Sequence, residues 1–168
     1  KQSQLETLQG MALKKYDAIV LSPIEPFNLL PGIIDCNNND IPVINLGPGV
    51  NVDELENMGG HLDGRLTVDF EKQGEMAATD IVERIGTGKV AIIQGISGAA
   101  QSEGRTNGAK KVFESTEGVE VVSVQPADWD SQKAYNVAAD LVKANPDLKA
   151  IFCCNDVMAL AASEALTD

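Results

Sequence analysis

Short apolar or β-branched runs recur along this chain at Ala18–Leu21, Pro42–Leu46, Val90–Ile93, Val119–Val124 and Ala150–Cys154. Stretches with helical spacing lie between them, so strands and helices alternate. A run that is apolar at successive residues suits a strand buried on both faces, as in a parallel sheet. Repeated strand–helix units connect right-handedly and place helices on both faces of that sheet. The expected fold class is therefore α/β, built from doubly wound parallel sheets.

The helical spacing can be followed residue by residue. Leu5, Leu8, Ala12 and Leu13 make one stripe within residues Lys1–Lys15. Phe27, Leu29, Leu30, Ile33 and Ile34 suggest a second helix that Pro31 shortens or kinks. Ala77, Ile81, Val82 and Ile85 form a third stripe, closed by Gly86 and Gly88. Asp130 is a natural N-cap for a helix burying Ala134, Val137, Ala138, Leu141 and Val142, and Asn145-Pro146 stops it. Asn155-Asp156 caps the last helix, which runs on toward Asp168.

Residues 47–65 differ from the rest. Glycine, proline and acidic residues dominate there, apart from a turn around Val52–Met58, and the stretch reads as a crossing between two lobes. The expected division is residues 1–68 for part of a first lobe and 69–168 for most of a second. The alternation resumes with a short strand at Leu66–Val68, but the first lobe has only two convincing strands, Ala18–Leu21 and Val43–Leu46, too few for an independent sheet. Both lobes are expected to be incomplete, the chain being a piece of a longer one or completing its sheets with another copy. A homo-oligomer formed through strand pairing is the corresponding expectation.

Composition excludes several functions. A net charge of −12 with scattered Lys and Arg argues against nucleic acid and against an anionic membrane surface as partners. No run approaches the apolar length of a membrane span, and no signal peptide is visible. Cys36, Cys153 and Cys154 lack zinc-type spacing and are expected as buried free thiols, with Cys153 and Cys154 pointing to opposite faces of a strand. The lone His61 sits in a loop with no second His or Cys nearby, so no metal is expected.

Three strand ends in the second half deliver polar or aromatic groups to one edge. The loop after Ile93 brings Ser97, Ser102, Glu103 and Arg105. The loop after Val124 brings Asp128 and Trp129, the only tryptophan in the chain, and the loop after Cys154 brings Asn155 and Asp156. In open α/β sheets ligands bind at the carboxyl ends of the strands. Arginine offers a planar fork of donors, asparagine a donor and an acceptor, and the indole an apolar face. Such a set suits a neutral polyhydroxylated ring. The plain alternatives are a surface arginine, simple helix capping by Asn155 or Asp156, and an indole packed on the first turn of its helix. Gly95-x-x-Gly98 lacks the third glycine of a dinucleotide fingerprint, and no Gly-Lys-Ser/Thr is present, so phosphate binding is weakly signalled. No Ser/Cys–His pair, nucleophile elbow or singled-out carboxylate pair supports catalysis. Binding without chemistry is the simpler account, with no cofactor.

At these residues the chain resembles a known family. Gln125-Pro-Ala-Asp-Trp129-Asp130, Asn155-Asp-x-Met158-Ala159-Leu160, and Gly95-x-x-Gly98 with Arg105-x-Asn-Gly108 resemble the periplasmic sugar-binding proteins of ABC importers, of the ribose and allose type. Ile41-Pro-Val-Ile-Asn-Leu46 and Gly59-Gly60 also fit, and the resemblance covers nearly the whole chain. It implies the type I periplasmic-binding-protein fold, two lobes joined by a hinge that close on a monosaccharide, and a membrane permease as partner. By position Arg105 and Asn155 would bind sugar hydroxyls, Trp129 would stack on the ring, and Asp69 would fall at a hinge crossing. The chain departs from the pattern twice. Phe70 replaces the usual asparagine beside Asp69, and Gly47-Pro48 follows Leu46 where a sugar-binding aspartate is usual. The full protein would be periplasmic, its signal peptide lying outside this chain. The alternative is the effector-binding region of a lactose-repressor-type regulator, which shares the fold. An upstream helix-turn-helix would favour that reading, and an upstream signal peptide the importer.

Overall fold

The structure is a computed structural model describing residues 2–167. It divides into two compact units, Lys1–Val68 and Asp69–Asp168.

In the first unit the elements run α1 (Gln2–Ala12), β1 (Ile19–Leu21), α2 (Leu30–Asn37), β2 (Val43–Gly47), α3 (Val52–Asn57) and β3 (Gly64–Thr67). The strands form one parallel sheet in the order β1-β2-β3. Residues 47–65 are thus no bare crossing. Asn51 caps α3 through its side-chain oxygen, which accepts from the Glu54 N–H at 2.8 Å, and β3 pairs with β2 along Ile44–Gly47. The two-strand shortfall expected from the sequence is corrected by this third strand.

The expectation that β1 and β2 are covered on both faces is also corrected. Ile19, Leu21 and Val43 point into a core with Leu8, Ala12, Leu30, Ile33 and Leu55 from the three helices. Val20, Ile44, Leu46 and Leu66 face the other way and are exposed, Val20 at 61% and Leu66 at 67%. The reason is topological. Right-handed crossovers between neighbours that advance in one direction drop every connecting helix on the same face. Pro31 does not kink α2: it occupies the first turn, where its missing N–H costs nothing, and Phe27 is left outside the helix. The helix signalled from Lys1 is α1; Lys1 itself, like Asp168 at the far end, lies outside the described residues.

The second unit runs α4 (Phe70–Ile85), β4 (Gly88–Gln94), α5 (Ala100–Ser115), β5 (Val119–Pro126), α6 (Ser131–Ala144), β6 (Leu148–Cys153) and α7 (Asp156–Ala165). Its parallel sheet has the order β5-β4-β6. The chain steps from β4 to one neighbour and then back past β4 to the other. Those opposite steps put α5 on one face, packed with α4, and α6 on the other, packed with α7. The central strand is therefore sealed on both sides, and Val90, Ala91, Ile92 and Ile93 are fully buried. Phe113 of α5 meets Phe152 of β6 edge-on, with ring centroids 6.4 Å apart. On α4 the inward position is Ala78 rather than Ala77, with Gly74 one turn before it. Gly86 closes that helix at φ 70°, donating its N–H to the Val82 carbonyl.

Candidate functional site at the carboxyl edge of the second sheet

The strand order of the second unit reverses at β4. The loops leaving β4 and its two neighbours lead to helices on opposite faces, the kind of switch point at which open α/β sheets bind ligands. Gly95, Trp129, Cys154 and Asn155 all follow the carboxyl ends of these strands.

Arg105 lies in the second turn of α5, and three glycines place that helix. A Cβ at Gly74 would strike the Arg105 carbonyl, one at Gly108 would strike the Glu71 carbonyl, and one at Gly104 would lie 2.7 Å from the Phe70 Cβ. Backbone thus meets backbone between α4 and α5, an approach only glycine permits. At that separation Phe70 and Gln73 flank the guanidinium. Arg105 Nε donates to Gln73 Oε1 at 3.0 Å, Nη1 donates to the Cys154 carbonyl at 3.0 Å, and Cζ stands 5.3 Å from the Phe70 ring centroid. Arg105 is therefore no free surface arginine.

Trp129 sits in a tight loop. Ala127 extends the ladder by donating its N–H to the Gln94 carbonyl at 2.8 Å, and Asp130 caps α6 by accepting from the Lys133 N–H at 2.8 Å. Between them Asp128 and Trp129 both take left-handed backbone, with φ 55° and 66°. Non-glycine residues in that region cost about 1–3 kcal/mol each and persist where the surroundings enforce them. The indole lies on Gly95: a Cβ there would overlap its Cη2, Cζ2 and Cε2 atoms. The half-buried ring packs on the end of the central strand and against the core of its unit. Asp128 is occupied at the surface by Lys133, 2.8 Å away.

Asn155 is the N-cap of α7, its Oδ1 accepting from the Met158 N–H at 2.9 Å. Capping uses only that oxygen. Its Nδ2 donates to no acceptor among the described residues and stays available. Asp156 lies one residue inside the helix and does not cap it.

Beneath these groups is a buried polar layer that the sequence does not announce. Gln94 Nε2 donates to Thr106 Oγ1 at 3.2 Å, and that hydroxyl lies 3.3 Å from Cys154 Sγ. Ser102 is fully buried, and its hydroxyl finds no partner among the described residues. Burial raises the Cys154 thiol pKa despite the Thr106 contact, and burial pushes Cys153 up to about 12. All three cysteines are free thiols, and Cys36 and Cys154 are buried; Cys153 is only partly so. Glu103 accepts from the Gly98 N–H at 3.0 Å and so closes the loop after β4. Asp69 caps α4, accepting from the Lys72 N–H at 2.8 Å, at the boundary between the two units.

In the first unit, fully buried Asn45 fixes the loop after β2. Its Nδ2 donates to the Pro48 carbonyl at 2.8 Å, and its Oδ1 accepts from the Val50 N–H at 3.0 Å. Gly47 takes φ 79°, a conformation strained for a residue with a side chain. His61 is exposed, with Nε2 3.8 Å from Asp63 Oδ1, and no cluster that could hold a metal occurs among the described residues.

The model of the periplasmic binding protein domain matches residues 1–168. The chain belongs to that family. Within it, the D-allose-binding periplasmic protein of Escherichia coli (strain K12) is 35% identical over 99% of this chain and 54% of its own length. The ribose import binding protein RbsB of Bacillus subtilis (strain 168) is 29% identical over 97% of this chain and 51% of its own. A periplasmic solute binding protein of an ABC transporter from Actinobacillus succinogenes 130z, solved with bound D-allose, superposes with a TM-score of 0.93 at 31% identity. That match covers 99% of this chain and 59% of the solved one. This periplasmic binding protein chain thus spans about half the length of the curated relatives it matches.

Proposed function

We propose that this chain carries part of a reversible monosaccharide-binding site in an extracytoplasmic substrate-binding protein, which delivers its sugar to an ABC-type importer. The observation that carries the reading is the convergence of Arg105, Trp129 and Asn155 on the carboxyl edge of one sheet, at its topological switch. Trp129 offers its indole to the C–H face of a pyranose or furanose. Arg105 keeps N–H donors, and Asn155 keeps Nδ2, that no acceptor among the described residues uses. Together they recognise adjacent hydroxyls without any group placed to break a bond, so the ligand leaves as it came. Relatives named for allose and ribose binding favour this reading over an effector-binding region of a regulator.

The two units correspond in this reading to parts of an N-terminal and a C-terminal lobe, with Asp69 at a hinge. An aldose resembling allose or ribose is the ligand class. Calorimetric titration of D-allose and D-ribose into the protein tests the proposal. Saturable binding that Arg105→Ala and Trp129→Ala each abolish is the expected result. Unchanged affinity in both variants refutes it.

A further inference from the structure

Arg105 is gripped from three sides by groups that carry no charge. Gln73 Oε1 takes the Nε hydrogen at 3.0 Å, the Cys154 carbonyl takes one Nη1 hydrogen at 3.0 Å, and the Phe70 ring stands 5.3 Å from Cζ. No carboxylate pairs with it among the described residues. Glu75, one and a half turns into α4, is taken up by Lys111 and Lys72, which hold it below the usual carboxylate range. Nη2 and the second Nη1 hydrogen donate to no acceptor among the described residues and remain as donors.

The grip has its origin in the glycines. Gly74, Gly104 and Gly108 bring α4 against α5 closely enough for the first residue of α4 to reach the guanidinium. Phe70 is only half-buried and belongs to neither the core of its unit nor the capping of its helix, which Asp69 performs. Its Cβ lies against Gly104, and its ring faces the arginine. A cation within about 6 Å of a ring centroid is attracted to the face of the ring, and a planar guanidinium is held flat by it.

We infer that Phe70 is a positioning residue for ligand binding: together with Gln73 it fixes the plane of the Arg105 guanidinium, so that the unused donor fork is already aimed when the sugar arrives. The inference rests on the sugar-binding reading of the same site. A preset fork loses little freedom on binding, and it accepts only hydroxyl pairs that lie in its plane. Phe70 therefore acts on affinity, and on the choice between sugars that differ in the geometry of neighbouring hydroxyls, without touching the sugar.

The test compares Phe70→Leu, Phe70→Tyr and Gln73→Met in the full protein. Leucine keeps apolar bulk and removes the ring face; tyrosine keeps the ring. Phe70→Leu is expected to weaken D-allose or D-ribose binding by about three- to tenfold, and Phe70→Tyr to restore it. Gln73→Met weakens binding similarly, and thermal midpoints stay within a few degrees of the parent. Side-chain NMR of the ligand-free protein supplies the readout that a merely structural role would not move. The Arg105 Nε–H resonance is ring-shifted in the parent and in Phe70→Tyr, and returns to the ordinary arginine position in Phe70→Leu. Parent-like affinity in Phe70→Leu, while Arg105→Ala abolishes binding, overturns the inference and leaves the sugar reading standing. Parent-like affinity in Arg105→Ala itself overturns both.

Discussion

The contact between Trp129 and Gly95 can be broken by a single methyl group. Gly95 does not need left-handed backbone, so alanine there is not strained by its own conformation. Its Cβ would overlap three indole atoms, Cη2, Cζ2 and Cε2. To regain an ordinary contact of roughly 3.5–4.0 Å the ring must lift by about 1 Å or more. Overpacking of this kind costs about 1–3 kcal/mol, and if the whole cost falls on the ligand-ready geometry, affinity drops roughly 5- to 150-fold. The control is the double variant. In a Trp129→Ala background the methyl group meets empty space, so Gly95→Ala should then cost almost nothing. The assay is a double-mutant cycle over Gly95→Ala and Trp129→Ala read by chemical denaturation, with sugar titration of the Gly95→Ala single variant beside it. A coupling energy of about 1–3 kcal/mol is expected. Additive effects would refute the placement of the indole on Gly95, and with it the geometry on which the site is built.

Other consequences can be measured separately. Gly108→Ala sets a Cβ against the Glu71 carbonyl, where backbone cannot yield, and should destabilise the protein by about 2 kcal/mol or more in urea denaturation; a change within ±0.5 kcal/mol would contradict the close approach of α4 and α5. Cys153, pushed up to about 12 by burial, should resist iodoacetamide at pH 8 in the native protein and react readily in denaturant. Its raised pKa means the folded state holds the thiol proton more tightly than the unfolded chain. That contribution to stability is full below about pH 8.5 and is lost as pH rises toward 12. Stability that rises through that window at the wild-type position, and not in Cys153→Ser, would contradict it.

Much of the second unit is legible in the sequence because local and global signals agree there. Val90–Ile93 is apolar at every position and proves to be the sealed central strand. Asp130 and Asn155 are cap residues placed just before apolar periodicity, and both do cap. The first unit is less legible. Leu66–Val68 reads as a short strand, but Gly64 and Arg65 carry no strand signal, and pairing with β2 moves the strand back to Gly64–Thr67. Asn51 and the acidic turn after it form a helix too short for periodicity to reveal.

The candidate site divides in the same way. Arg105, Trp129 and Asn155 can be named from chemistry at strand ends. Phe70, Gln73 and the Gln94–Thr106–Cys154 layer cannot, because helix-to-helix approach depends on what faces each glycine across space. The glycines at 104 and 108 in α5 and at 74 in α4 are the one signal that could have pointed there, as small residues at helical spacing on facing stripes.

In the proposed site one sheet edge aims a ring face and two donor groups at a sugar. A crystal structure of the protein grown with D-allose tests it most directly. The account predicts the C–H face of the sugar against the Trp129 indole, with the free donors of Arg105 and Asn155 Nδ2 on neighbouring hydroxyls. Sugar bound elsewhere, with Trp129 still packed only on Gly95 and the Arg105 fork facing solvent, would contradict it.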